Sequence, residues 1–134
     1  MKKLIIIMSV ALSILTIGIG GSAYAAKPNT GDTTWTNHYK WYNTDDHTPA
    51  RKKTNKTAYF NKVKSTDISY INIWAALYDG RDVSEGHTYS PRKGDKTYLY
   101  NKAVEKHGKG IAVRIDSRRY SNGSASGVWS PDSI

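Results

Sequence analysis

The chain has 134 residues, no cysteine, and a formal net charge of +9 from twenty Lys and Arg against eleven Asp and Glu. That length holds one domain, and the missing cysteine excludes both disulfide staples and a lipid anchor built on a thiol. The positive balance favours anionic partners of any kind.

Lys2 and Lys3 precede an apolar run from Leu4 to Ile19, broken only by Ser9, Ser13, Thr16 and Gly18, and Ala23-Tyr24-Ala25 follows. A basic start, a short greasy stretch and a small-x-small site predict a signal peptide over residues 1–25, cut after Ala25. The run is short for a retained transmembrane anchor. Without Lys2 and Lys3, eighteen bases face eleven acids, so the exported portion carries +7. Outside a cell the matching anions are wall polymers, acidic glycans and lipid head groups; no nucleic acid is expected. The tail Ser130-Pro131-Asp132-Ser133-Ile134 has no hydrophobic or basic anchor, so the product is expected to be released or held non-covalently.

Residues 26–34, with Pro28 and Gly31, read as a flexible linker before a single domain over 35–134. The first strand, Trp35 to Tyr42, places Trp35, Tyr39 and Trp41 on one face. A loop follows over Asn43 to Pro49. The basic stretch Arg51-Lys52-Lys53, with Lys56, leads into a strand near Thr57 to Lys64. Its facing is ambiguous, with Tyr59 and Val63 on one side and Ala58 and Phe60 on the other. The stretch Tyr70 to Tyr78 then alternates Ile71, Ile73, Ala75 and Leu77 against Tyr70, Asn72, Trp74, Ala76 and Tyr78, and is read as a central strand ended by Asp79-Gly80. A short extended piece near His87 to Ser90, a strand over Thr97 to Val104, and a turn at His107-Gly108-Lys109-Gly110 come next. Ile111, Val113 and Ile115 form the cleanest half-buried strand, and Ala125 to Trp129 closes the sheet. No window carries a helical period with caps. Six or seven short strands with regular turn signals predict an all-β antiparallel sandwich, with a small barrel as the alternative.

After residue 25 the sequence has thirteen Val, Ile and Leu residues but fourteen aromatics. Each buried aromatic removes ~150–250 Å² from water, at most about 4–6 kcal/mol at ~25 cal/mol/Å². Aromatics must therefore carry much of the core.

Asn101-Lys102-Ala103-Val104-Glu105, then Gly108, Val113-Arg114-Ile115 and Gly127-Val128-Trp129-Ser130-Pro131-Asp132-Ser133 resemble a family of small secreted proteins of Gram-positive bacteria of unknown function. Arg51-Lys52-Lys53-Thr54-Asn55 resembles that family's opening motif. The resemblance spans about Arg51 to Ser133; it implies export and a β-rich domain, and it brings no catalytic residues. A weaker likeness, to secreted β-rich bacteriocins of the lactococcin type, rests on size and the aromatic, His-containing start; Trp129-Ser130-Pro131-Asp132 does not fit it.

Asp79, Asp82, Glu85 and His87 share one loop, but their spacing matches no calcium loop and Arg81 competes for the charges, so a solvated loop is the better reading. Asp45-Asp46-His47 offers fewer ligands still. His107 with Glu105 and Arg114 is the one grouping similar to a small ribonuclease site, and a polar turn explains it as well. No catalytic, metal or cofactor site is expected. The binding candidates are Trp74, Tyr78, Tyr98 and Tyr100, with Tyr70, as outward aromatics, and Arg51, Lys52, Lys53, Arg118 and Arg119 as cations for an anionic polymer. Against this stands the need of a Leu-poor core for those same aromatics. The expectation is an exported, monomeric, non-enzymatic binder of a cell-wall polymer, glycan or anionic membrane surface. The alternatives are a secreted bacteriocin-like toxin and a small hydrolase.

Overall fold

A period of two can bury only one face of a strand, and in the computed structural model, which describes residues 27–134, eight strands solve that problem by pairing two sheets face to face. The expected signal peptide over 1–25 and its cleavage after Ala25 lie outside the described residues. The strands are β1 (Thr33–Tyr39), β2 (Asp45–His47), β3 (Arg51–Lys52), β4 (Tyr59–Thr66), β5 (Asn72–Leu77), β6 (Lys96–Leu99), β7 (Ala112–Arg118) and β8 (Gly123–Ser130). The first sheet runs β1-β8-β4-β6, all antiparallel. In the second, β7 pairs with β5 along one edge and with β2 and β3 in succession along the other. The edges of each sheet stay unjoined, so the fold is a sandwich and not a closed barrel.

The core forms where the inner faces meet: Trp35, Tyr39, Tyr59, Val63, Ile71, Ile73, Leu77, Leu99, Val113, Ile115 and Trp129 are all buried. In β4 the inward residues are Tyr59, Asn61 and Val63, which resolves the facing of that strand; Phe60 looks outward and packs on Tyr98 with ring centroids 5.5 Å apart. Buried hydroxyls are satisfied. Tyr59 donates to the Ala76 carbonyl at 3.0 Å. Tyr39 and Ser117 lie 2.7 Å apart, and the Asn37 amide completes their network with its oxygen toward both hydroxyls and its nitrogen 3.0 Å from the His47 carbonyl. Burial raises the Tyr39 phenol above its ordinary value, so it stays a neutral donor. Gly127 marks the tightest approach between strands: a Cβ there would lie 2.0 Å from the Lys62 carbonyl oxygen and 3.0 Å from the Trp35 ring.

Several expectations are corrected. The Tyr70–Tyr78 stretch is not central; β5 lies beside β7, and its other edge meets only single bridges to Tyr89 and Asp82. In that sheet the strand paired along both edges is β7. Trp41 does not share the inner face of Trp35 and Tyr39, because the chain turns back between Lys40 and Asn43 through two backbone hydrogen bonds of 3.0 Å. Trp41 sits on that turn, 72% exposed. The strand expected over Thr97–Val104 stops at Leu99. The buried Asn101 side chain accepts from the Ala103 N–H and donates to the Leu99 and Thr57 carbonyls, a local bonding pattern that competes with the strand ladder. A five-residue helix, α1 (Ala103–His107), follows.

The segment before β1 is also placed. Asn29 donates its backbone N–H to Asp132 at 2.7 Å and its side-chain amide to the Lys52 carbonyl at 2.8 Å. β1 itself begins at Thr33, two residues ahead of the expected domain start at 35.

Candidate functional site

Two of the expected cations, Lys53 and Arg51, turn inward to structure. Lys53 is fully buried, with its ammonium 3.0 Å from the equally buried Asp132 carboxylate and 2.7 Å from the Pro131 carbonyl. It also lies 5.3 Å from the centre of the Tyr59 ring. Asp132 accepts from the Thr54 hydroxyl at 2.6 Å and from backbone N–H groups of Asn29, Thr54 and Asn55. Burial by itself would raise that carboxyl, but Thr54, Asn29 and Lys53 outweigh it and hold it below the ordinary carboxylate value. Burial pushes the Lys53 ammonium below the usual lysine value against the pull of Asp132. Arg51 reaches the carbonyls of Gly31 and Trp129, and Asn55 donates to the Ile134 carbonyl at 2.7 Å. Lys52 remains exposed. The stretch Arg51–Asn55 and the stretch Trp129–Asp132 thus bond to each other, tying the second sheet to the first. This latch withdraws Lys53, and in large part Arg51, from any polymer-binding surface.

The outer face of the second sheet gathers other candidates. Register places Asn72, Arg118 and Asp45 in one row and Trp74, Asp116 and His47 in the next. Arg118 grips Asp45 through two bonds of 2.7 and 2.8 Å, and its guanidinium lies 5.5 Å from the centre of the Trp74 ring. The bond to Arg118 keeps the Asp45 carboxyl below its ordinary value. Arg114 binds Asp116 at 2.6 Å and the Tyr78 carbonyl at 3.1 Å. An open cleft of about 290 Å³ lies among Asp45, Asp46, His47, Arg114, Asp116 and Ser117.

This face continues to one end of the sandwich. There the Lys40–Asn43 turn and the β7–β8 turn are joined by the Trp41 N–H to the Asn122 side chain at 2.9 Å and the Arg119 N–H to the Thr44 carbonyl at 2.9 Å. Trp41, Tyr42 and Tyr120 are each 70% exposed or more, and Tyr70, which shares a cleft with Tyr120, is 36% exposed. Arg119 packs its guanidinium 4.3 Å from the centre of the Tyr70 ring, and its Nε donates to Ser121 Oγ at 2.9 Å. Tyr70, Asn72, Arg119, Tyr120 and Ser121 line a cleft of about 250 Å³. Of the six arginines, Arg81, Arg114 and Arg118 have carboxylate ion pairs, while Arg51, Arg92 and Arg119 have none among the described residues; of these three only Arg119 lines this cleft.

The remaining candidates do not join this site. Tyr78 is half exposed at the far end of β5, and Tyr98 stands on the outer face of the first sheet against Phe60. Tyr100 stacks on His87 at 4.2 Å and donates to Glu85 at 2.7 Å, which holds that carboxyl below its ordinary value. Asp79 is taken by Arg81, and Asp82 accepts from the Ser84 N–H and hydroxyl. Among the described residues no three His, Asp or Glu side chains are grouped to hold a metal ion. Glu105 and His107, grouped in sequence with Arg114, stand two apart on α1, where helical geometry separates them by about 200°. Arg114 is committed to Asp116. Trp41, Tyr42 and Tyr120 are the site residues that sequence reasoning missed, since alternation assigns Trp41 inward and carries no sign of two turns meeting. Among the described residues no helix is long and apolar enough to cross a membrane.

Fold and surface together define a small all-β, two-sheet protein with an aromatic and arginine-bearing face. The chain belongs to the family described as protein of unknown function (DUF2712), whose model matches residues 21–133. No curated protein and no solved structure matches it.

Proposed function

We propose that this is an exported protein that works by binding and not by chemistry, engaging an anionic or glycan polymer at or beyond the cell envelope. The observation that carries this reading is the contiguous surface from Trp74 and Arg118 to Tyr70, Arg119, Tyr120 and Trp41. Stiff aromatic rings on strands and tight turns are ready-made stacking platforms with little conformational entropy left to lose, and the interleaved arginines supply charge for a polyanion. The sequence of residues 1–25 supports export, and the resemblance of the Gly127–Ser133 stretch to small secreted proteins of Gram-positive bacteria supports an envelope setting. The excess of basic residues favours a negatively charged partner.

The protein is expected to pellet with purified cell walls and to be released by salt, because screening weakens contacts between exposed charges. Wild-type protein that stays in the supernatant at low salt overturns this reading. Trp41, Tyr42 and Tyr120 beside Arg119 favour a second reading, attachment to an anionic membrane by a toxin-like protein, since Trp and Tyr suit the head-group layer. Killing of an indicator strain by the purified protein, with co-sedimentation on anionic vesicles and none on walls, selects that second reading.

A further inference from the structure

We infer that the cleft of Tyr70, Asn72, Arg119, Tyr120 and Ser121 is a subsite for one oxyanion group, a carboxylate or a phosphodiester, borne on a sugar or polyol chain. This deepens the binding reading above and rests on it. Arg119 is the central group of the cleft. Its Nε is occupied by Ser121 Oγ at 2.9 Å, and its plane is held against the Tyr70 ring at 4.3 Å. Its two η nitrogens have neither a carboxylate nor a hydrogen-bond partner among the described residues. A guanidinium held in place at one nitrogen and one face presents the remaining fork in a fixed direction, which suits two oxygens of one anionic group. Arg118, one residue away, already spends its fork on Asp45, so the adjacent arginines have different roles.

The walls of the cleft complete the chemistry. Asn72 and Ser121 supply short hydrogen-bonding groups for hydroxyls, and Tyr120, 70% exposed, supplies a ring face for the C–H side of a pyranose or polyol. A volume of about 250 Å³ accommodates one charged sugar unit and is open enough for the chain to continue past it. Trp74 on β5 lies four residues along the chain from Tyr70, which precedes that strand, at most about 13 Å at ~3.3 Å per residue, so a chain seated at Arg119 can extend to that second ring.

The test is calorimetric titration of the purified protein with three hexamers, a uronic-acid oligomer, a glycerol-phosphate oligomer and a neutral glucan, with inorganic phosphate as a fourth probe. At least one charged hexamer is expected to bind, and which one does identifies the source of the anionic group; the neutral glucan and free phosphate are expected not to. Arg119→Gln is expected to weaken that hexamer about tenfold or more, and Arg119→Lys, which keeps the charge without the fork, to weaken it as well. Tyr120→Ala removes an exposed ring, leaves the fold intact, and is expected to weaken the same hexamer. Equal binding by Arg119→Gln and wild type, equal binding of charged and neutral hexamers, binding of free phosphate as tight as the hexamer, or no binding of either charged hexamer each overturns the subsite. If wild type pellets with walls while Arg119→Gln pellets equally and releases at the same salt, the subsite fails and the broader reading stands. If neither pellets, the broader reading fails whatever the hexamers do.

Discussion

At the scale of single residues, the most consequential side chains are the ones whose types disguise them. Lys53 and Asp132 are charged and both fully buried. Breaking a buried pair from one side strands the other charge, so Lys53→Met or Asp132→Asn is expected to cost about 3–5 kcal/mol in chemical denaturation. The pair also gives the protein an acid limit. Asp132 is depressed in the folded state, so its contribution is complete above its ordinary value of 3.8 and is lost as pH falls through the lower folded value. Melting temperatures measured downward from pH 7 should hold until about pH 4 and then drop, and Asp132→Asn should flatten that drop while melting lower at neutral pH. Asp45 and Glu85 are depressed too, but they are exposed and screened, so their share is small. Asn61 is the opposite case. It is buried between Tyr59 and Val63, and neither its amide nitrogen nor its oxygen has a partner among the described residues. Asn61→Val replaces an unpaired polar group with a strand-favouring side chain and is expected to raise the melting temperature by several degrees.

Among the elements, β4 and β8 make the most extensive contact in the first sheet, and they meet where Gly127 faces Val63 across the ladder. Gly127→Ala forces a methyl to within 2.0 Å of the Lys62 carbonyl oxygen, so these strands must part or the register must move. The expected result is a loss of more than about 3 kcal/mol, with amide exchange accelerating first in β4 and β8. Strands of this kind were legible in sequence where alternation was clean: Ile71, Ile73, Ala75 and Leu77 face inward, as do Val113, Ile115 and Trp129. The same rule misassigned Trp41 because it assumes that the strand continues, and Lys40–Asn43 turns without a glycine or proline to announce it. α1 escaped notice because five residues cannot display a helical period, and the residue at its N-cap, Lys102, makes no side-chain cap bond. Lys53 escaped because charged residues are ordinarily exposed; only the partner, 79 positions away, makes its burial tolerable. Of the proposed binding surface, Trp74, Tyr70, Arg118 and Arg119 were legible as outward residues, while their union with Trp41 and Tyr120 depends on two turns meeting in space.

For the whole molecule, sequence-distant pairings dominate. β1 pairs with β8 from Thr33↔Trp129 to Tyr39↔Gly123, and the latch joins residues near 53 to residues near 132. Such a topology folds slowly for its size, in the millisecond-to-second range typical of sandwiches. Removal of Ser130–Ile134 deletes Asp132 and the end of the strand between β1 and β4, and leaves Lys53 buried without its counter-ion. The truncated chain is expected to give a coil-like circular dichroism spectrum with no cooperative melt. Asn29, bonded to Asp132, carries a corollary for how the molecule comes into being. The bond ties the start of the described chain to its far end, so the two sheets are expected to lock only when both stretches are present together. A chain that lacks the Asp132 stretch is expected to stay open to proteases, which limited proteolysis checks.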